Sequence, residues 1–173
     1  MAKNCLNKII GSRVVGCTFT PVGVKNIYLM YASDVTLRED SFGSIDVTSF
    51  ATGAFSYLIE GYKQNIQMTT SVLSTDASQK LSVSVSFKTT VTNLNWLRSI
   101  LIGSFYVMVE YQSGVSIMVG VQAPLECSGF DYDSNGNAGL ATITLSAPEG
   151  SAGNYIMSLT AASITTIKSK VGV

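Results

Sequence analysis

The chain of 173 residues contains no histidine. That absence excludes Ser-His-Asp and Cys-His catalysis, an imidazole general base and any histidine metal ligand. A Ser-Lys or two-carboxylate enzyme stays formally open, but no pattern in the sequence announces one, and the expectation is a protein that is not an enzyme. Cysteine is scarce and scattered, at Cys5, Cys17 and Cys127, with no C-x-x-C. Such a set is neither a disulfide framework nor a zinc site, and it predicts an intracellular, reducing origin. No G-x-x-x-x-G-K-[ST] or G-x-G-x-x-G is present, so nucleotide binding has no support.

Charge is the second deficiency. Asp, Glu, Lys and Arg make up 13% of the chain, against ~25% in ordinary soluble domains. The 11 basic and 11 acidic residues cancel, whereas a dedicated nucleic-acid binder carries a basic excess. Long apolar runs are also missing: Leu101-Ile102 and Val107-Met108-Val109 are interrupted within a few residues, far short of the ~20 that a membrane helix needs. The opening Met1-Ala2-Lys3-Asn4-Cys5-Leu6-Asn7-Lys8-Ile9-Ile10 lacks the apolar core of a signal peptide. The expectation is a soluble or assembled protein without a membrane partner.

What replaces charge is hydroxyl: 23 Ser and 16 Thr stand beside 46% apolar residues, and mean hydropathy is +0.32. Too few charges remain to coat an ordinary monomer. The composition therefore predicts a β-rich subunit that covers much of its surface with copies of itself. The length predicts one domain, residues 1–173, with an N-terminal arm over about 1–13.

Period-two alternation dominates. Its cleanest run sets Leu81, Val83, Val85 and Phe87 against Ser82, Ser84, Ser86 and Lys88, a strand with one buried and one wet face. Further strands are expected at 26–31, 55–59, 66–73, 125–132, 140–145 and around 155–159. The segment 92–102 differs: Leu94, Leu97 and Leu101 fall at i, i+3, i+7, with Trp96 and Ile100 adjoining. This predicts a short helix, capped by Thr92 or Asn93, with Gly103 in a left-handed position after its end. A hairpin follows, 105–111 and 115–121 about the turn Gln112-Ser113-Gly114. Both its faces are apolar, as befits either a central strand or one covered by another subunit.

Two acidic clusters require weighing. Asp131-Tyr132-Asp133-Ser134-Asn135-Gly136-Asn137 fits the opening of an EF-hand calcium loop. Its twelfth position, however, is Thr142 rather than Glu, and its flanks read as strands. Asp, Asn and Gly favour such turns for local reasons, so a plain turn and no metal is the expectation. Arg38-Glu39-Asp40 reads as a solvated loop. The tyrosines at 28, 31, 106, 111, 132 and 155 read as core or interface packing, and Trp96 as an anchor of the helix on the sheet.

The succession of Gly23-Val24-Lys25-Asn26-Ile27-Tyr28-Leu29, Asp34-Val35-Thr36, the alternating 79–90 strand, a helix running directly into a hairpin, and Ala141-Thr142-Ile143-Thr144-Leu145-Ser146 ending at Pro148-Glu149-Gly150 resembles tail tube (major tail) proteins of tailed bacteriophages. The compact kind found in phages of gut Bacteroidetes is the nearest in character. A tail ring or connector protein on the same fold is similar too. The resemblance spans most of residues 15–160 and rests on order and length, not on an invariant catalytic motif.

It implies a mainly β fold, an antiparallel β-sandwich or barrel with one short lateral helix. It further implies homo-hexameric rings stacked into a hollow tube, other tail proteins as partners, and DNA that passes through the lumen without specific binding. Location in the virion tail after synthesis in the host cytoplasm follows, with no cofactor. Tube lumens of this kind are expected to be acidic, so the zero net charge is a departure. Asp131, Asp133, Glu110 and Glu126 are the candidates for an acidic face. The alternative is a carbohydrate-binding or adhesion β-sandwich, with Tyr132 beside the acidic turn as its best feature and calcium as its stabiliser.

Overall fold

The structure is a computed structural model that describes residues 6–7, 13–14, 23–39, 44–61, 65–72, 79–88, 91–132, 140–148 and 156–172. Along the chain these form β1 (Leu6–Asn7), β2 (Arg13–Val14), β3 (Val24–Tyr31), a 3-10 turn (Ala32–Asp34), β4 (Val35–Glu39), β5 (Ser44–Phe50), β6 (Tyr57–Glu60), β7 (Ile66–Val72) and β8 (Gln79–Lys88). Helix α1 (Val91–Leu101) comes next, then β9 (Ser104–Tyr111), β10 (Ser116–Val119), β11 (Leu125–Tyr132), β12 (Leu140–Ser146), β13 (Met157–Leu159) and α2 (Ala161–Ser169). The fold is mainly β. In the N-terminal arm, β1 and β2 pair with each other, Leu6 opposite Val14, and among the described residues with no other strand.

The other eleven strands share one sheet, organised around β9. One side of β9 pairs with β3 from Tyr111↔Val24 to Phe105↔Tyr31, and β6 lies beyond β3. The other side of β9 divides. Residues 107–110 pair with β10, while Ser104 and Phe105 pair with β11. From that fork one arm runs β11–β12–β8–β7 and the other β10–β13–β5–β4.

Burial follows from the fork. Ile27, Leu29, Phe105, Val107 and Val109 point to a core shared with Leu81, Val83, Val85, Ile143 and Leu145 of β8 and β12 and with Leu97 and Ile100 of α1. The alternate residues Tyr28, Met30, Met108 and Met118 point to a second core with Val35, Val47 and Ile167. The β3–β9–β10 layer is thus covered on both faces by its own chain. That decides between the two readings of the apolar hairpin: its strands are central, and another subunit is not needed to hide them.

Several expectations hold in detail. β7 and β8 pair as a hairpin, Ile66↔Val85 to Val72↔Gln79. The even-numbered hydroxyls of β8 face outward and bond across strands, Thr69 to Ser82 at 2.6 Å, Ser84 to Thr144 at 3.0 Å and Ser86 to Thr142 at 2.8 Å. Gly114 closes the β9–β10 turn at φ 84°, a left-handed conformation that suits glycine.

Others need correction. A second helix, α2, follows the last strand, where the sequence predicted only one helix. The sheet is not wholly antiparallel, because β13 runs parallel to β5, Ser158↔Ser44 and Leu159↔Ile45. Helix α1 begins at Val91, which puts Thr92 and Asn93 inside its first turn rather than at its cap. Leu101 is 39% exposed rather than buried, while the side chain of Leu94 lies outside the described residues. Gly103 is not left-handed. It is required instead because a Cβ there would collide with the ring of Phe105.

Candidate functional site: open edges and a buried ion cluster

Two recesses flank helix α1. One, of about 100 Å³, lies between α1 and the sheet and is lined by Tyr31, Tyr57, Trp96, Ser99 and Phe105. Tyr31 meets Tyr57 edge-on at 5.9 Å and Phe105 at 4.8 Å, so the recess is a gap among packed rings. The other, about 380 Å³, is an open groove past the end of α1 between Tyr31, Ser33, Ile102 and Ser104. Ligand sites usually enclose ~300–1,000 Å³ around convergent polar groups. Neither recess is lined by a carboxylate or an ammonium group.

The more informative surfaces are strand edges. Among the described residues, β4, β6 and β7 each pair on one side only. Edges are usually blunted with charge, proline or a bulge. β4 carries Arg38 and Glu39 and a bulge between Thr36 and Leu37; β6 is four residues and ends in Glu60. β7 has none of these devices: Ile-Gln-Met-Thr-Thr-Ser-Val, seven residues in unbroken register. On β11, Phe130 and Tyr132 stand on one face at 44% and 48% exposure. Their cross-strand partners Ile143 and Ala141 are buried, so the two rings extend the inner face beyond the cover of the core. At the corner after α1, Ile102 is 90% exposed.

The four acidic candidates separate. Glu126 is exposed and accepts from Ser104 Oγ at 3.1 Å, and Asp131 is exposed on β11. Asp133, with the rest of the 133–139 turn, lies outside the described residues. Glu110 is not a surface acid at all: it is 5% exposed. It sits on β9 opposite Asn26 of β3, with α2 laid across it. Its Oε1 meets Lys168 Nζ at 2.8 Å and Lys25 Nζ at 3.7 Å. Its Oε2 accepts from Asn26 Nδ2 at 3.1 Å and from the Tyr28 hydroxyl at 3.3 Å.

Burial alone pushes the Glu110 carboxyl up, but the bonds from Lys168 and Asn26 and the two ammonium charges outweigh it and hold it below the ordinary glutamate range. The bond to Glu110 in turn raises Lys168. Tyr28 is raised first by burial and then by the Glu110 charge.

No local sequence signal marks this cluster. The three residues that hydrogen-bond to Glu110 lie 58 to 84 positions from it, and only the β3–β9 register and the unforeseen α2 bring them together.

Of the remaining predicted positions, Arg38 pairs with Asp46 at 3.4 Å, Glu39 is exposed, and Asp40 lies outside the described residues. Cys127 is a free, half-buried thiol, while Cys5 and Cys17 lie outside the described residues. Trp96 packs edge-on to Phe87 at 5.9 Å, as an anchor should. Among the described residues, no three His, Cys, Asp or Glu side chains converge as a metal site, and no helix is long and apolar enough to cross a membrane. Comparison of the chain with protein-family models, with curated proteins and with solved structures gives no match in any of the three.

Proposed function

We propose that the chain is a structural subunit that assembles with copies of itself, as the tail tube or tail ring proteins it resembles do, and that it carries no catalytic activity. The observation that supports this reading is β7, which among the described residues is an outermost strand of seven residues with no charge, proline or bulge of its own. An edge of this kind is a template for another strand. The 13% charge content agrees with it, because a subunit whose edges are consumed by neighbours needs little charge to stay dispersed. The apolar hairpin lends nothing here, since the chain itself covers both of its faces.

On this reading a head-to-tail contact repeats about an axis and closes into a ring, and stacking of rings remains open-ended. DNA would then be a passing cargo, not a bound ligand. Negative-stain microscopy and light scattering of the purified protein test the proposal. Rings or tubes are expected at high concentration, and a persistent 18.4 kDa species would refute it.

One observation favours the adhesion reading, namely the exposed Phe130–Tyr132 pair beside Asp131. Aromatic faces of this sort stack on sugar rings. Tyr132→Ala separates the two: loss of glycan binding with assembly intact would favour adhesion, and loss of neither would leave the rings as ordinary surface.

A further inference from the structure

The Glu110 cluster contains the parts of a reaction. A buried carboxylate touches a primary amine through one oxygen, Lys168 Nζ at 2.8 Å, and a primary carboxamide through the other, Asn26 Nδ2 at 3.1 Å. The amine comes from α2 and the carboxamide from β3, with the acid between them on β9. We infer that Lys168 and Asn26 join in an intramolecular isopeptide bond, with Glu110 as the acid–base group that forms it.

The step balances within the three side chains. A proton passes from Lys168 Nζ to Glu110 along their contact, which converts the ion pair into a neutral amine and a neutral acid. That transfer runs against the resting state, because the contacts about Glu110 hold it charged and its bond raises Lys168, so the neutral amine is a minor form and the bond forms slowly, once per chain. The freed lone pair on Nζ attacks Asn26 Cγ, a C–N bond forms, and the carbonyl becomes a tetrahedral centre. Glu110 returns its proton to Nδ2 as the Cγ–Nδ2 bond breaks, and it accepts the second proton that Nζ gives up. Ammonia leaves, the amide remains, and Glu110 is left holding the one surplus proton, which it passes to the departing ammonia to become a carboxylate again. No oxidant, metal or cofactor enters. Holding nucleophile, electrophile and acid on three packed elements supplies the proximity that lets so poor an electrophile as a carboxamide react.

The placement also explains what such a bond would hold. Ile167, next to Lys168, is fully buried in the second core, and the carbonyl of Ile167 accepts from Ser56 Oγ at 2.7 Å. A covalent tie at Lys168 fastens the C-terminal helix over that core and closes the chain between residues 26 and 168. The inference does not depend on assembly, because a monomer would carry the bond as well as a ring.

Intact-mass spectrometry of the full folded chain, followed by peptide mapping, is the test. The parent is expected to weigh less than its sequence by one ammonia and to yield a branched peptide joining Lys168 to Asn26. Lys168→Arg keeps the charge opposite Glu110 and therefore the fold, yet is expected at full sequence mass, as is Glu110→Gln. A parent at full sequence mass, or an ammonia deficit that maps elsewhere, overturns the inference. A deficit that persists in Glu110→Gln overturns the part assigned to Glu110.

Discussion

Asp46 fastens the start of α2 to β5. Its Oδ1 accepts from Ser163 Oγ at 2.9 Å and from Thr160 Oγ1 at 3.1 Å, and its Oδ2 meets Arg38 at 3.4 Å. The hydroxyl bonds, and after them the Arg38 charge, hold its carboxyl below the ordinary aspartate range. A depressed folded-state pKa means that the unfolded chain binds the proton more readily. The stabilisation is therefore complete above the unfolded value and is lost as pH falls through the folded one. Melting temperature followed from neutral to acid pH is expected to drop less steeply for Asp46→Asn than for the parent, and parallel curves would show that the contact is silent. The acidic turn supports a different residue-scale expectation. Thr142, which stands where an EF-hand needs its bidentate Glu, is paired opposite Asp131 in the sheet and hydrogen-bonded to Ser86. It cannot swing in as a ligand, nor does its hydroxyl replace a carboxylate. Calorimetry with millimolar calcium is expected to show no binding, and a calcium-dependent rise in melting temperature would restore the metal reading.

Helix α1 shows how one element divides between core and surface. Leu97 is 2% exposed and Leu101 is 39% exposed, one turn apart. Leu97→Ala should cost about 2–5 kcal/mol, the range for emptying a buried leucine site. Leu101→Ala should stay within about 0.5 kcal/mol, as surface changes do. Denaturant melts distinguish them, and equal losses would mean that the helix packs differently. This helix and the alternating β8 were legible because each writes its own period over ten or more residues, and the β9–β10 hairpin because two apolar runs flank the turn Gln112-Ser113-Gly114. Helix α2 was not. Its apolar signal is Ile164 and Ile167 alone, among Thr and Ser that favour strands and turns as readily. Thr160, whose hydroxyl caps the helix by accepting from Ser163 N at 3.3 Å, was the available clue. The parallel β13–β5 pairing and the Glu110 cluster were out of reach for a different reason. Both depend on residues far apart in sequence, and strand alternation tells which face is buried but not which strand lies alongside. Glu110 itself was misread as a surface acid because a charged residue between Val109 and Tyr111 gives no sign of the lysine that will neutralise it.

At the scale of the whole molecule the sheet has an unbalanced periphery. Both arms that leave β9 are cored on their inner faces, yet among the described residues the arm through β11, β12 and β8 ends in an unpaired edge at β7 and turns outward a face of paired hydroxyls. A chain that joins neighbours through that edge gains stability by mass action, because assembly draws on the folded state alone. Its melting temperature should then rise with protein concentration. Gln67 is exposed on β7 and pairs with Ser84 across the hairpin, away from either core. Gln67→Lys places on the strand the charge with which edges are ordinarily guarded. It should leave the dilute melt close to the parent's and abolish the concentration dependence together with any rings. If the parent melts at one temperature across a hundredfold range of concentration, the edge is idle and the assembly proposal fails. If the parent shows the dependence and Gln67→Lys retains it, the subunits assemble through another surface, of which the exposed Ile102 corner and the Phe130–Tyr132 face are the next to substitute.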